Sequence, residues 1–421
     1  MIVGILDRFP TRAFSAWRGR SSRSIHNRQR SCLLIAVSVA CGGIAWSGHV
    51  LTLPVAVLFP ALWAMSPSRL TAVLVSAGYF LAASRGLPQG VANFYDADLW
   101  SGLLLWVAAS LSFAAVHAAL WKARSEGKSR GVGRTGMAMA ARYLAATVLL
   151  GLPPLGITGW AHPLTATGVL FPGWGWWGLV AMTAGLAMMT SRYWPATAIV
   201  LGGLWLWSAT TWTSPNLPEG WKGVDLEQGQ KLGRDGSLDY HRDLIATVRA
   251  AAGEKTRFIV LPESALGFWT PTVARLWQKG LRGSELTVIA GAAVIDPGGY
   301  DNTMVKVSAD EVRILYRERM PVPVSMWQPW RGWTGQGGGA RANLFGNPVV
   351  EIDGQRLAAL ICYEQLLLWP VLQSMLHSPS AIIAPGNGWW TAGTSIVAIQ
   401  NVSVMAWAKL FGLPVVTAFN R

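Results

Sequence analysis

Charged residues and cysteines are both scarce in this 421-residue chain. Charged residues make up 13% and hydrophobic residues 52% of the sequence, whereas an average soluble domain has about 25% charged residues. This composition excludes a uniformly soluble protein and indicates a very apolar part joined to an ordinary one. The three cysteines, Cys32, Cys41 and Cys362, are too few for a disulfide framework. The histidines show no metal-ligand spacing, so we expect no metal and no cofactor.

Acidic residues are almost absent from the first half. Residues 1–212 contain 16 Lys and Arg against 4 Asp and Glu, while residues 213–421 contain 19 against 17. The net charge of +14 therefore belongs to the apolar half, where basic loops set the orientation of a protein in a membrane. A nucleic-acid groove would need that excess on the soluble half. We predict the lipid bilayer as a partner and no nucleic acid.

Apolar runs dominate residues 31–212. A helix crosses a bilayer with roughly 17–25 apolar residues. Runs near this length predict about seven spans, at 31–48, 50–66, 70–84, 99–121, 138–157, 173–190 and 193–212. Pro54, Pro60, Pro153 and Pro154 are expected to kink or interrupt spans. A transporter is disfavoured because these runs lack paired intramembrane charges.

Basic residues occur in alternate loops between the predicted spans. The arm 1–30, Arg69, the loop 122–135 and Arg192 all fall on one side of a seven-span arrangement. Basic loops face the cytoplasm. We therefore expect a basic cytoplasmic arm at 1–30, a transmembrane helical domain at 31–212, and an extracytoplasmic domain at 213–421.

The pattern changes after residue 213 to that of an α/β domain. Strands are predicted from apolar, β-branched runs at 257–262, 286–295, 356–361, 381–385 and 413–418, with shorter ones between and helical stretches alternating with them. Buried strands that alternate with helices are typical of layers of helix covering sheet.

Two reactive side chains directly follow predicted strands. Glu263 stands in LPES and Cys362 in ICYE, and strand ends in an α/β sheet meet at a crevice. A thiol attacks a carbonyl carbon when a nearby base takes its proton. The two residues are thus a candidate acyl-transfer pair. The alternatives are an inert buried cysteine and a solvated acid at a strand end.

Five motifs in order resemble the carbon–nitrogen hydrolase (nitrilase) superfamily: LPES at 261–264, YDN at 300–302, VP at 322–323, ICYE at 361–364 and APGNGWW at 384–390. The resemblance covers almost all of 220–421 and implies an α-β-β-α sandwich. With its multi-span N-terminus the chain is similar to apolipoprotein N-acyltransferases. The string at 316–330 resembles a family of conjugal plasmid transfer proteins more closely. These likenesses imply a bacterial inner membrane, a periplasmic C-terminal domain, and conjugation or envelope proteins as partners.

The resemblance implies a role for each residue of a Glu–Lys–Cys triad. Glu263 would be the general base, Cys362 the nucleophile, and the backbone N–H of Tyr363 part of the oxyanion site. The position of the family's lysine is occupied by Glu318, a negative charge beside a developing anion. Its neighbours Arg317 and Arg319 would point to the opposite face of a strand, unless a bulge turns one inward. Alternatively, Glu318 pairs with a neighbouring arginine on a surface strand.

Supporting roles are expected for five further residues. Glu364 and Asn387 are expected to brace the pocket through hydrogen bonds. Trp327, Trp330 and Trp333 predict an apolar lid or a membrane-dipping arm, with ordinary core as the alternative.

Two functions remain open at the level of sequence. The first is a cysteine-dependent amide hydrolase or N-acyltransferase acting on a membrane-proximal acyl substrate. The second is a non-catalytic envelope component that keeps the fold, which the departure at Glu318 favours.

Overall fold

The structure is a computed structural model that describes residues 11–123, 132–234, 236–335 and 337–421, with side chains at 11–26 and 132–135 outside the description. The part before residue 213 is helical. Its helices are α1 (Thr11–Ala45), α2 (Phe59–Ala64), α3 (Arg69–Ala83), α4 (Leu87–Tyr95), α5 (Leu99–Leu120), α6 (Val132–Gly151), α7 (Thr167–Leu170), α8 (Gly175–Met189) and α9 (Trp194–Thr210). Residues 1–10 of the predicted arm and most of the basic loop 122–135 lie outside the described residues.

A helix lies within each predicted span, but few of the helices are long. Among the described residues, α5 alone has the length and apolar composition to cross a membrane, and α3 with α4, bent by 51°, would add a second if the pair is one span. Helices α8 and α9 have 15 and 17 residues, which at 1.5 Å per residue is about 22–26 Å, shorter than a hydrocarbon core of roughly 30 Å. The expected number of seven spans is not confirmed.

The predicted span at 50–66 is not one helix. A 3₁₀ helix covers Val50–Leu58, and α2 begins only at Phe59. Pro54 lies inside the 3₁₀ segment, where its missing N–H removes an α-helical hydrogen bond. Pro60 stands in the first turn of α2, the position at which proline starts a helix.

Residues after 213 form two sheets. The first holds β1 (Trp221–Gly223), β2 (Phe258–Val260), β3 (Thr287–Asp296), β4 (Gly299–Val307) and β5 (Val312–Arg317) in chain order, and the second holds β6 (Val350–Ile352), β7 (Gln355–Ala359), β8 (Ala381–Asn387) and β9 (Val415–Asn420). Strands β1–β3 and β7–β9 are parallel, whereas β4, β5 and β6 pair antiparallel. The helices are α10 (Leu238–Ala251), α11 (Pro271–Leu281), α12 (Trp330–Trp333), α13 (Leu368–Met375) and α14 (Ile396–Phe411).

The two sheets pack face to face between helical layers. Val260 and Ile289 of the first sheet share a core with Ile383 and Val416 of the second. A second core joins the outer face of the first sheet to α10 and α11. The arrangement is the α-β-β-α sandwich that the family resemblance implied. Each of the five long predicted strands matches an observed one, because alternate or continuous apolar residues mark a strand with buried faces.

The second sheet's outer helices are covered by the N-terminal helices. Trp407 and Val404 of α14 belong to one buried cluster with Phe59 and Val169 of the helical part. Contact between the two parts is so close that a Cβ added at Gly168 would lie 1.6 Å from the carbonyl oxygen of Ala406. The predicted boundary at 213 therefore separates two sequence patterns but not two cores.

We expect Gly168→Ala to destabilise the chain, because the added methyl group would overlap the backbone of α14. Overpacking of this kind typically costs about 1–3 kcal/mol. Thermal unfolding of the detergent-solubilised full chain would measure it. The matched control is Gly203→Ala in α9, where no atom lies within 4 Å of the added Cβ and alanine favours the helix by up to about 1 kcal/mol. Equal effects of the two substitutions would contradict the close contact.

Candidate active site

Cys362 lies at a sharp turn immediately after β7. Its φ of 44° is left-handed, a conformation that costs a non-glycine residue of order 1–3 kcal/mol and persists only where the surroundings enforce it. The residue begins a 3₁₀ helix, Cys362–Leu366, and its side chain is buried. Gln400 of α14 donates to the sulfur at 3.6 Å. The fold therefore fixes the direction of the thiol.

Glu263 follows β2 and meets Cys362 in the same pocket. Both residues line one cavity, the Cys362 thiol and the backbone of Asn387 both act on the pKa of the buried Glu263 carboxyl group, and Asn302 Nδ2 donates to its Oε1 at 2.7 Å. Gly291 permits this placement, because a Cβ there would lie 2.5 Å from the Cα of Glu263. The structure thus brings together the two residues that the sequence paired.

Glu318 lies directly after β5 and is also buried, with 1% of its surface exposed. Its backbone N–H donates to the carbonyl oxygen of Asn302 at 2.8 Å, and its Oε2 accepts from Asn302 Nδ2 at 2.7 Å. The other carboxyl oxygen, Oε1, is buried without a hydrogen-bond partner among the described residues. The alternative of a surface ion pair at Glu318 is wrong, since the chain turns inward where the strand ends.

Neither neighbouring arginine takes the place of the missing lysine. A bulge does occur in β5, between the pairs that involve Met304 and Val305. Arg317 nevertheless bonds Asp301 at 2.8 Å near the surface. Arg319 is fully buried and lies 3.6 Å from Glu364. The two arginines were expected on the same face of the strand, but they do not share one, because the strand ends at Arg317 and Arg319 lies beyond it. Neither lines the cavity at Cys362.

The expected bracing residues form hydrogen bonds around the turn of Cys362. Glu364 accepts from Tyr316 Oη at 2.7 Å and from the backbone N–H groups of Arg319 and Ile361 at 2.7 and 2.8 Å. Asn387 accepts from Asn420 Nδ2 at 2.8 Å through its side chain. These contacts hold the Cys362 turn against β5 and β9.

Tyr363 joins the site to the helical part of the chain. Its hydroxyl donates to the carbonyl oxygen of Ile157 at 3.0 Å. The side chain is therefore engaged with the helical part, and only the backbone N–H of Tyr363 is available beside Cys362. The proposed part of that N–H in oxyanion binding stays a prediction.

A largely apolar cavity of about 360 Å³ opens onto Cys362 and Glu263. Its walls include Val91 and Phe94 of α4, the pair Trp389 and Trp390, and the segment 322–326. A smaller cavity of about 60 Å³ adjoins it beside Cys362 and is lined by Leu105 and Ala109 of α5. The contribution of these two helices was not predicted, because α4 falls in the loop expected between the spans 70–84 and 99–121, and apolar residues of a predicted span such as that of α5 carry no signal that they face a site.

Arg234 is a cation that lines the cavity, and its guanidinium lies 5.4 Å from the ring of Trp389. The three tryptophans predicted as a lid do not line the cavity. Trp327 packs partly buried against the large core, whereas Trp333 is 86% exposed. The chain just before them, 322–326, forms the wall instead. The lid or membrane role stays a prediction.

Burial disfavours the charged forms of both Glu263 and Cys362. Burial raises the pKa of the Glu263 carboxyl. The pKa of the Cys362 thiol is raised well above its usual range by burial first, and then by the carboxylates of Glu263 and Glu318. The resting cysteine is therefore a thiol, and attack on a carbonyl would require proton transfer to Glu263 in the same step.

Comparison with known proteins identifies the family. The family model described as carbon-nitrogen hydrolase matches residues 81–409. The chain belongs to the carbon–nitrogen hydrolase family. The match begins in the helical part of the chain and covers most of the sandwich.

Two relatives of this chain are named as conjugal transfer proteins, the second as a probable one. The chain is 73% identical over 420 residues to "Conjugal transfer protein TraB" of Agrobacterium fabrum, with all of both chains covered. It is 60% identical over 388 residues to "Probable conjugal transfer protein TraB" of Sinorhizobium fredii, covering 92% of this chain and 97% of the relative. Both resemblances, to the superfamily and to conjugal transfer proteins, are confirmed. Among solved structures, an amidase from Nesterenkonia sp. matches 49% of this chain and 78% of its own at 12% identity and a TM-score of 0.35.

The raised pKa of Cys362 predicts a loss of stability at alkaline pH. An unfolded thiol ionises near pH 8.5, whereas the buried thiol still holds its proton. The buried thiol therefore stabilises the folded state fully below that pH, and this stabilisation is lost as the pH rises through the folded-state pKa. Relative to Cys362→Ala, the free energy of unfolding of the wild type should fall by up to about 1.4 kcal/mol per pH unit above pH 8.5. Unfolding measured between pH 7 and 10 would test this. Cys32→Ala, at an exposed cysteine, should keep the wild-type slope, and a matching slope for Cys362→Ala would contradict the prediction.

Proposed function

We propose that this chain is a membrane-anchored component of conjugal plasmid transfer whose carbon–nitrogen hydrolase site no longer turns over amides efficiently. The observation that carries the proposal is Glu318, which is buried at the position where the family resemblance implies lysine. Arg317 and Arg319 are both engaged elsewhere. The role in conjugation rests on similarity to the two TraB proteins over nearly the whole chain.

The electrostatics of the site support weak or absent turnover. A group that stabilises the oxyanion of an acyl-transfer intermediate is commonly worth about 3–4 kcal/mol, or a factor of roughly 10²–10³ in rate. An acid at position 318 supplies no positive charge there. The Cys362 thiol in addition lies beside the carboxyl group of Glu263, which opposes its ionisation.

Membrane anchoring is supported by the surface of the helical part. Most of the large apolar side chains that are exposed among the described residues lie before residue 213, including Leu33, Leu70, Leu104, Val180 and Ile199. A soluble protein rarely exposes so extended an apolar surface. In a bilayer these side chains would contact lipid, with shorter helices such as α8 supported by their neighbours. The basic loops favour a periplasmic sandwich.

The proposal predicts that the thiol is dispensable for transfer. A donor strain that carries Cys362→Ala should conjugate at the wild-type frequency, because on this view the domain acts through its fold. Purified wild-type chain should release no amine from simple amides. The matched control is Gly168→Ala, which disturbs the junction of the two parts and should reduce transfer. Loss of transfer with Cys362→Ala at unchanged protein level would refute the proposal.

The alternative is an active amide hydrolase or N-acyltransferase with a membrane-proximal acyl substrate. The intact contact between Cys362 and Glu263 and the apolar cavity beside α4 and α5 favour it. The thiol proton would pass to Glu263 as sulfur bonds to the carbonyl carbon. Collapse would then break the bond to the leaving group, which takes that proton. Water or an amine would finally accept the acyl group from sulfur.

Glu318→Lys distinguishes a site that lacks only its cation from one that has lost more. If lysine alone is missing, amide turnover should rise by about 10²–10³ over the wild type. The control is the double variant Glu318→Lys with Cys362→Ala, which removes the nucleophile and should abolish the gain. A folded lysine variant without gain would favour a purely structural module. Acyl labelling of Cys362 followed by product release in the wild type would favour the active enzyme.

A further inference from the structure

We propose that Glu263 and Glu318 form a buried carboxyl pair, bridged by Asn302, that holds one proton in total, with Glu318 as the neutral member and Glu263 as the ionised one. The inference goes beyond the proposed function, since it concerns the charge state of the site whether or not the site turns over substrate. It assigns Glu318 the role of a positioning residue, which acts through Asn302 and Glu263.

The pair is held by a single side-chain amide. Asn302 Nδ2 donates to Glu263 Oε1 and to Glu318 Oε2, both at 2.7 Å. An amide nitrogen carries two hydrogens, so each carboxyl group receives one. Both carboxyl groups are buried, at 4% and 1% exposure. Two buried carboxyl groups held on one amide nitrogen disfavour each other's ionisation, because like charges repel strongly where water is largely excluded.

The hydrogen bonds assign the proton to Glu318. Burial raises the pKa of Glu263, but three neighbours lower it, namely the Cys362 thiol, Asn302 and the backbone of Asn387, and Asn302 Nδ2 donates to Oε1 at 2.7 Å. Glu318 has Asn302 alone, and its Oε1 is buried without a partner among the described residues. A buried carboxylate oxygen that lacks a donor is costly, whereas a neutral acid in the same place is tolerated.

The groups around Glu318 supply no compensating cation. Glu263, Glu364, Tyr300 and Cys362 face it from the neighbouring elements, and none of these is positively charged. Tyr316 lies on the same strand and bonds Glu364. Arg317 and Arg319, which flank Glu318 in the chain, are committed to Asp301 and Glu364. Burial, followed by the charges of Glu263 and Glu364, raises the pKa of Glu318 well above its ordinary range.

A neutral Glu318 has a consequence for the thiol. The pair then carries one negative charge in total, and that charge lies on Glu263, the residue that contacts Cys362. Glu263 therefore remains able to accept a proton, while the charged group that acts most strongly on the thiol, among the described residues, is a negative one. Replacing Glu318 by its neutral isostere should leave this arrangement unchanged, whereas a lysine there should favour the thiolate.

Infrared spectroscopy of the full chain in detergent tests the assignment. At neutral pH the wild type should show the carbonyl band of a protonated carboxylic acid, and Glu318→Gln should lose that band. The second readout is alkylation of Cys362 by a small neutral reagent, in a Cys32→Ala, Cys41→Ala background. Glu318→Gln should react within about twofold of the wild type at pH 7, whereas Glu318→Lys should react about tenfold faster or more, because the rate follows the thiolate fraction.

Either of two results would overturn the assignment. One is a Glu318→Gln chain that keeps the full acid band. The other is a Glu318→Gln chain that alkylates about tenfold faster, as removal of an ionised neighbour requires. If Glu318→Gln does not fold, a hydrophobic carbodiimide, which reacts with protonated buried carboxyls, should label Glu318 of the wild type at neutral pH, and labelling of Glu263 instead would refute the pair. None of these measurements depends on plasmid transfer, so their failure is distinguishable from failure of the proposed function.

Discussion

Helix α14 is covered on both faces, and this burial determines how the rest of the molecule is arranged. One face lies on the second sheet and the other on the N-terminal helices, so its residues belong to one large core with both parts. A helix that is apolar all round is stable in water only when it is enclosed in this way. The same helix carries Gln400, which contacts the sulfur of Cys362. The packing of the helical part on the sandwich thus reaches the candidate nucleophile directly.

Charge in the site follows from how one arginine is used. Arg319 is the fully buried cation beside the site, and its backbone and side chain both contact Glu364. Its guanidinium also bonds Tyr316, Ser374 and the carbonyl oxygen of Ala359. That network braces the Cys362 turn, because Glu364 in turn holds the N–H of Ile361. One of the two arginines that adjoin Glu318 in the sequence is therefore committed to structure.

Sequence reasoning recovered the sandwich and the meeting of Glu263 with Cys362. Both follow from local signals, since strands with buried faces have apolar runs and strand ends converge at one edge. It did not recover what depends on the course of the chain beyond a strand. Side chains were expected to alternate between the two faces of a strand as far as Arg319, but the strand ends at Arg317, and Glu318 and Arg319 are both buried. The 3₁₀ segment at Val50–Leu58 was missed because an apolar run gives no direct measure of hydrogen bonding.

The cavity walls come from both parts of the chain, and this has a mechanical consequence. Asn93 of α4 donates to the carbonyl oxygens of Trp390 and Ala392, both at 3.0 Å, and Phe94 stacks on Trp389 with 5.7 Å between ring centroids. A molecule seated in the cavity would touch α4 and the sandwich at once. Its binding free energy would add to the attachment between them. A bound molecule would then make the contact between α4 and the sandwich more rigid, so that movement of one part would displace the other.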